Sequence, residues 1–429
     1  MGKGIEQQTG ATVMRELVVY LDRTLVGKLF EASSLWGFEY DSAWLAHGYN
    51  IIPGLLFKAG RQLDGATTRP VQWFFDNLLP EEQARTLLEK EAKVQPGDAF
   101  SLLTAIGHES AGAFTLLTPG AKLDAGQAIE LTPAELNERI LNLPKLPLNR
   151  SERKKMSLAG AQHKMLVIFK DGQLYEPSGQ LPSTHILKPE HTDTTVYYFT
   201  TRNEWFVMSL ARACGLSVPE VHHIYLPAPA YIVKRFDRSG DYPDIYRLHI
   251  IDGCQLLGLS FREKYSASSV ESLKKLADSC IAPGPARLAI FKWALFNAFV
   301  GNGDAHLKNL SFRLTDRGYQ LMPHYDLLST SIYAEVGKHH FEELSQKMGA
   351  AAHFGELRKQ HVLHFGQALG LPEALSARII EQMKKTIAPA ADKLAAQVAA
   401  EPSHDGKAGE MQMLKKIRHL CIQEMLNQL

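Results

Sequence analysis

Gly303-Asp304-Ala305-His306-Leu307-Lys308-Asn309, followed by Pro323-His324-Tyr325-Asp326-Leu327, decides the reading of this 429-residue chain. Phosphoryl transfer needs one carboxylate to orient or deprotonate the attacking hydroxyl and an amide a few residues on to hold a metal. It also needs a second carboxylate, beyond a short hairpin, for the metal that bridges the phosphates. Asp304, Asn309 and Asp326 stand in that order. The spacing D-x-x-x-x-N alone is a common accident of polar loops, so the intervening pattern carries the weight. Leu310 to Leu314 alternates like a strand, Thr315-Asp316-Arg317-Gly318 has turn chemistry, and Tyr319 to Pro323 returns as a partner. That hairpin is predicted to bring Asp326 back beside Asn309.

The remaining parts of such a site are sought upstream. Thr184-His185-Ile186-Leu187-Lys188-Pro189 reads as a short buried strand with one lysine, placed to grip the α- and β-phosphates. Asn203 to Arg212 has helical spacing of apolar residues, and Glu204 near its start is expected to pair with Lys188. A snorkelling lysine and a solvated first-turn glutamate are the bland alternatives, favoured for each residue alone and weakened by the order in which they occur. Lys154 to Ile168 runs from a basic approach into small residues and then a β-branched stretch. Small residues let backbone N–H groups approach an anion, so this segment is a candidate cover for nucleotide phosphates; with one glycine, a plain turn between strands competes with it. Ala230 to Arg238 is a strand leaving into a polar segment, suited to a hinge that meets adenine through its backbone.

Together, Ser157 to Lys164, the Lys188 strand, Asn203-Glu204, Lys234 to Arg238, Asp304 to Asn309 and Tyr325-Asp326 resemble the HipA family of bacterial serine/threonine-protein kinase toxins. Phe74 to Pro80 and Gly107 to Ala113 resemble that family's N-terminal signatures, so the likeness runs from about Arg15 to the C-terminal helices. The resemblance implies that Ala159, Gly160, Ala161, Gln162, His163 and Lys164 lie over ATP. It implies that Lys188 contacts the phosphates and that Lys234, Arg235 and Phe236 meet the adenine. Asp304 would be the catalytic base; His306, Leu307, Lys308 and Asn309 would contact nucleotide and metal, and Tyr325-Asp326 would complete a Mg²⁺ site. Ser157 matches a serine that family members autophosphorylate, withdrawing the phosphate loop and inactivating the enzyme; a phosphate adds about −1.5 to −2 charge there, which would repel ATP. Lys234 departs from the acidic residue common at the hinge start, but main chain holds adenine there, so ATP remains the expected donor. His306 is a second candidate for proton handling because a similar D-x-H-x-x-N arrangement occurs in phosphoinositide-kinase-like enzymes. It ranks below Asp304, and a packed histidine orienting Asp326 is the structural alternative.

Composition adds bounds. The length exceeds what one core supports, so two or three lobes are expected. Lys plus Arg number 47 against 46 Asp plus Glu, a net charge of +1 that does not suggest independent nucleic-acid binding through a broad basic surface. The cysteines at 214, 254, 280 and 421 show no C-x-x-C spacing and read as small buried apolar groups. With no signal peptide or long apolar span, a cytoplasmic location and no membrane contact are expected. His222-His223 and the pair His361/His364 lack companions at zinc spacing.

The expected fold is α+β: a bilobal protein-kinase-like body with an additional N-terminal α+β subdomain and a mostly helical C-lobe. The expected divisions are a disordered start over 1–14, the N-terminal subdomain over 15–125, the nucleotide-binding N-lobe over 126–237 and the catalytic C-lobe over 238–429. The apolar run Ala286 to Phe299 should be a central helix carrying the catalytic loop at its end. The resemblance further implies phosphorylation of a translation protein, typically an aminoacyl-tRNA synthetase, and restraint by a small helix-turn-helix antitoxin resembling HipB. Operator DNA would be met through that partner. A small-molecule or lipid kinase and a non-catalytic transcriptional corepressor are the competing classes.

Overall fold

The computed structural model describes residues 14–122, 125–143, 163–335, 337–338 and 341–429. Its first sheet grows from period-two alternation. In β1 (Arg15–Leu21), Leu17, Val19 and Leu21 face the core. The Asp22-Arg23 turn leads into β2 (Thr24–Ala32), then β3 (Leu35–Tyr40), β4 (Gln62–Leu63) and β5 (Phe114–Leu117), in the antiparallel order β4-β3-β2-β1-β5. Helices Pro70–Asp76 and Ala99–Ile106 bury Phe74, Phe75, Phe100 and Leu103 in the same core, with Phe74 edge-on to Phe114 at 5.5 Å.

The second sheet comprises β6 (Ala128–Glu130), β7 (Met165–Lys170), β8 (Gln173–Pro177), β9 (His185–Pro189), β10 (Val221–Tyr225) and β11 (Pro229–Lys234), ordered β10-β11-β9-β7-β8-β6. Alternate residues of β11 serve two cores. Ala230 and Ile232 join a small cluster with Leu136 of helix Pro133–Leu141, while Tyr231 and Val233 join the large one with Phe206 and Leu210 of helix Thr200–Ala213. Helix Pro133–Leu141 starts as its residues dictate: the Thr132 hydroxyl accepts from the Glu135 N–H at 3.3 Å and proline takes the first position.

Beyond Arg238 the long helices are Pro283–Val300 and Glu373–Ala400, with Val270–Asp278, Lys359–Ala368 and Lys407–Lys416 beside them. Strands interrupt this region more than the sequence reading expected. Ile250–Asp252, Ser311–Thr315 and Gly318–Leu321 form a three-stranded sheet, because the predicted hairpin needs a third strand to satisfy the outer backbone groups of Ser311 to Arg313. A further hairpin pairs Glu343–Met348 with Ala351–His353. Helix Pro283–Val300 is buried over most of its length and ends at Gly301, whose φ is +66°. A Cβ there would meet Ser331 Oγ at 2.1 Å, so glycine both stops the helix and lets the loop behind Asp304 close. Among the described residues no helix is long and apolar enough to cross a membrane. Cys254, Cys280 and Cys421 are buried, Cys214 is half-buried and all four are free thiols.

Candidate active site

Lys188 sits in the buried middle of the second sheet, opposite Tyr231. Its Nζ donates to Glu204 Oε1 at 2.7 Å and to Asp326 Oδ1 at 2.5 Å. One ammonium therefore joins the sheet, helix Thr200–Ala213 and the segment after the hairpin. Asn203 fixes that helix against the same segment: its amide donates to Ser329 O at 2.8 Å and its carbonyl accepts from Ser329 N at 2.9 Å. Burial works against the charge on Lys188, but Asp326 and Glu204 more than offset it and raise its pKa. Burial pushes Glu204 up to about 7, against the pull of Lys188. For Asp326 burial is outweighed by Lys188 and then Lys164, and its carboxyl falls to about 2. Lys164 is brought down to about 8 by burial and by Lys188. Asp326 also carries a left-handed backbone, φ +58°, at a site whose charge is only partly covered.

The loop from Asn302 to Asn309 is tied to itself. Asp304 N donates to Asn302 Oδ1 at 3.0 Å, and Asn309 Nδ2 donates to Asp304 O at 2.8 Å, closing the loop across its two functional ends. The Asp304 carboxylate is half-exposed and accepts from the Tyr265 hydroxyl. Burial raises its pKa to about 6; the Tyr265 hydrogen bond opposes this and the Asp326 charge adds to it. His306 is buried, edge-on to Tyr265 at 4.9 Å, with Nε2 at 4.0 Å from Asp304 Oδ1. Burial, then Lys264, pushes it down to about 4, so the imidazole is neutral at pH 7. This suits the packed histidine better than the proton carrier, although among the described residues no hydrogen bond joins it to Asp326.

Three residues grouped with the nucleotide turn their side chains elsewhere. Lys308 is buried with its Nζ on Asn77 Oδ1 (2.8 Å), Asn77 O (3.0 Å) and Asp252 Oδ2 (3.0 Å), so its ammonium is spent on fold contacts. Leu307 is a core residue. Arg235 binds Asp237 with Nε at 2.8 Å and Nη2 at 2.5 Å, and Ser183 with Nη1 at 3.0 Å. Only the main chain of these residues is available to a ligand. Phe236 packs on Tyr325, ring centroids 5.2 Å apart, and Tyr325 donates to Lys308 O at 2.6 Å, which links the hinge to the loop. Lys234 is exposed at the end of β11. Ser157, Ala159, Gly160, Ala161 and Gln162 lie outside the described residues; His163 and Lys164 are half-buried at the start of β7. Sequence reading missed Tyr265, Asn302 and the Asn77–Lys308 contact. Asn302 stands two residues before Asp304, a position from which an amide can cap the loop. Tyr265 and Asn77 are distant in sequence and gave no local signal.

The oxygens around this loop suit a hard cation. Asn309 spends its NH₂ on Asp304 O, which leaves its amide oxygen, and Asp326 offers an ionised carboxylate. A carboxylate and an amide oxygen are hard donors of the kind that divalent cations take.

Residues 156–391 match the model of the HipA-like C-terminal domain and residues 17–117 that of the HipA N-terminal domain. The chain is 30% identical over 380 residues to the serine/threonine-protein kinase toxin HipA of Shewanella oneidensis, covering 84% of each chain. It is 33% identical over 391 residues to Y4mE of Sinorhizobium fredii, covering 88% of this chain and 91% of the relative. Among solved structures, that of Shewanella oneidensis HipA with HipB and operator DNA superposes with a TM-score of 0.79 at 26% identity, covering 96% and 99% of the two chains. This chain belongs to the HipA family.

Proposed function

We propose that the protein is a serine/threonine kinase of the toxin type with a bilobal kinase-like body, transferring the γ-phosphate of ATP to a protein hydroxyl. The observation that carries the reading is Lys188, held at 2.7 Å from Glu204 and 2.5 Å from Asp326. A lysine poised between a helix carboxylate and a metal-type aspartate is what phosphate binding requires. In this reading residues 126–237 hold the nucleotide, 238–429 the acceptor, and 15–125 form the added subdomain. The Lys188 ammonium and the backbone around His163 and Lys164 hold the phosphates, and Phe236 and Tyr325 bound the adenine end. Asn309 and Asp326 would hold Mg²⁺, whose chemistry is to bridge and neutralise the phosphates. Asp304 orients the acceptor hydroxyl and takes its proton as the new O–P bond forms and the bond to ADP breaks.

The relative solved with HipB and operator DNA supports a helix-turn-helix antitoxin as partner here, with DNA met through it. An aminoacyl-tRNA synthetase as acceptor, growth arrest as outcome, inactivation through Ser157 and a cytoplasmic location complete the proposal. The test is transfer of labelled γ-phosphate in a cell lysate by wild type and Asp304→Ala, with sites mapped by mass spectrometry. Label on Ser157 and on one translation protein, absent with the variant, is the expected result. Asp304-dependent label on small molecules alone would move the reading to a small-molecule kinase. Its absence everywhere would move it to a corepressor.

A further inference from the structure

The Asp304–Asn309 loop is fastened to the N-terminal sheet unit through charges that the proposed chemistry does not use. Asn77 ends helix Pro70–Asp76, and Glu81 precedes helix Glu82–Glu91; both are buried. Asn77 binds the Lys308 ammonium with its side-chain and main-chain oxygens, and donates its own NH₂ to Leu259 O at 2.9 Å. Glu81 Oε2 accepts from Lys264 Nζ at 2.6 Å, and Glu81 Oε1 lies 3.4 Å from Lys308 Nζ. With Asp252 on Lys308, the cluster contains two lysines and two carboxylates, balanced and removed from water. Lys308 directly precedes Asn309. Lys264 directly precedes Tyr265, whose hydroxyl reaches Asp304, and its carbonyl accepts from Leu307 N at 3.3 Å. Both lysines therefore hold neighbours of the groups placed in the chemistry.

We propose that Asn77 and Glu81 are positioning residues for phosphoryl transfer, setting the Asp304–Asn309 loop through Lys308 and Lys264. The physical basis is that a buried ammonium has few places to go: bound by oxygens of Asn77, Glu81 and Asp252, Lys308 leaves the backbone of Asn309 little freedom. A catalytic carboxylate displaced by about 1 Å loses rate on the order of 10²-fold, whereas Lys188, the main phosphate contact, is held by Glu204 and Asp326 outside this cluster. The N-terminal unit is thus part of the transfer machinery. This inference deepens the kinase reading and rests on it for its rate measurement only.

The test compares full-length Asn77→Ala, Glu81→Gln and Val71→Ala with wild type. Val71 is a buried residue of the same unit, so its truncation loosens that core without touching the cluster. Two quantities are read on folded protein: kcat and KM for ATP in label transfer, and hydrogen exchange of peptides spanning 302–310. For Asn77→Ala and Glu81→Gln the expected result is kcat reduced by about tenfold or more, with KM for ATP changed by a smaller factor than kcat. Amide exchange in 302–310 should be at least about tenfold faster, while Val71→Ala changes neither at a comparable loss of Tm. Equal effects of Val71→Ala, or unchanged exchange in the two cluster variants, would overturn the proposal. A wild type that transfers no phosphate would count against the kinase reading instead, and the exchange data would still decide whether this cluster sets the loop.

Discussion

Two clusters of buried charge, one around Arg235 and one around Lys188, are built to opposite plans. Around Arg235 most donors and acceptors are paired, with Arg238 Nε an exception. Asp237 takes two bonds from Arg235 and a third from Gly112 N at 2.8 Å, while Arg238 binds Glu109 at 2.9 Å and Gly112 O at 2.8 Å. Around Lys188 one ammonium is shared by two carboxylates, with Lys164 close enough to perturb both. Asp326 is partly open to solvent there and strained in its backbone. A carboxylate whose lone pairs are all engaged has nothing to offer a ligand. A lysine held by two acceptors of unequal basicity can exchange one of them for a phosphate. In the proposed reading, close mutual pairing goes with charge that holds the fold, and a shared, unequal pairing goes with charge that can change partners.

The largest effect that could break this contrast is on rate. Asp304→Ala should lower phosphate transfer by about 10²–10⁴-fold. It should leave the fold intact, because the Asp304 carboxylate is half-exposed and accepts from the hydroxyl of Tyr265, itself a half-exposed residue. Circular dichroism and Tm alongside the transfer assay test this. Retained transfer would mean that the unsaturated side of the molecule is not the reactive one.

On the saturated side the expected effect is stability. Asp237→Ala leaves Arg235 and Arg238 to share Glu109 as carboxylate partner in a buried site and should cost about 3–5 kcal/mol in urea unfolding. Burial opposes ionisation of Asp237, but Arg235 and then Arg238 hold its carboxyl well below the usual range. Its stabilisation is therefore present above the unfolded value of about 3.9 and is lost as pH falls through the folded value. Wild type should lose stability below about pH 4, and the variant should show a flatter acid limb. Lys188→Met is the contrasting case. Phosphate binding should fail, yet stability should drop by only roughly 1–2 kcal/mol, since Glu204, already near 7, can take up a proton once its partner is gone. A loss as large as that of Asp237→Ala would erase the distinction between the clusters.

Much of the Lys188 cluster was legible in the sequence, because each member sits in a pattern with its own local signal. Lys188 is the one lysine of a short buried strand, Glu204 lies near the start of a helix with helical spacing of apolar residues, and Asp304, Asn309 and Asp326 keep the spacing that a loop and hairpin impose. The hairpin itself was readable from turn residues, as was the buried helix Pro283–Val300 from its apolar surface. The side-chain directions of Lys308 and Arg235 were not. Both stand inside motifs that name a ligand; Asn77 of the N-terminal unit reaches Lys308 first, and Asp237, two residues on, reaches Arg235 first. Asn77 is 231 residues from Lys308 along the chain, a separation no periodicity encodes. The third strand at Ile250–Asp252 escaped for a similar reason: three residues carry too little pattern to compete with the helices around them.

The smallest effect sets the floor of the comparison. Lys274 and Asp278 form an exposed ion pair at 2.9 Å, one helical turn apart, with side chains 41% and 36% accessible. Solvent screens such a pair, and removing Lys274 strands nothing, because Arg287 still binds Asp278 Oδ1 at 2.8 and 2.5 Å. Lys274→Ala should therefore change unfolding free energy by no more than about 0.5 kcal/mol, and 0.5 M salt, which shortens the screening length to a few ångströms, should shrink even that. A loss several times larger would show that ion pairs in this fold count regardless of burial. The contrast between the Arg235 and Lys188 clusters would then have to rest on something other than how completely each charge is paired away from water.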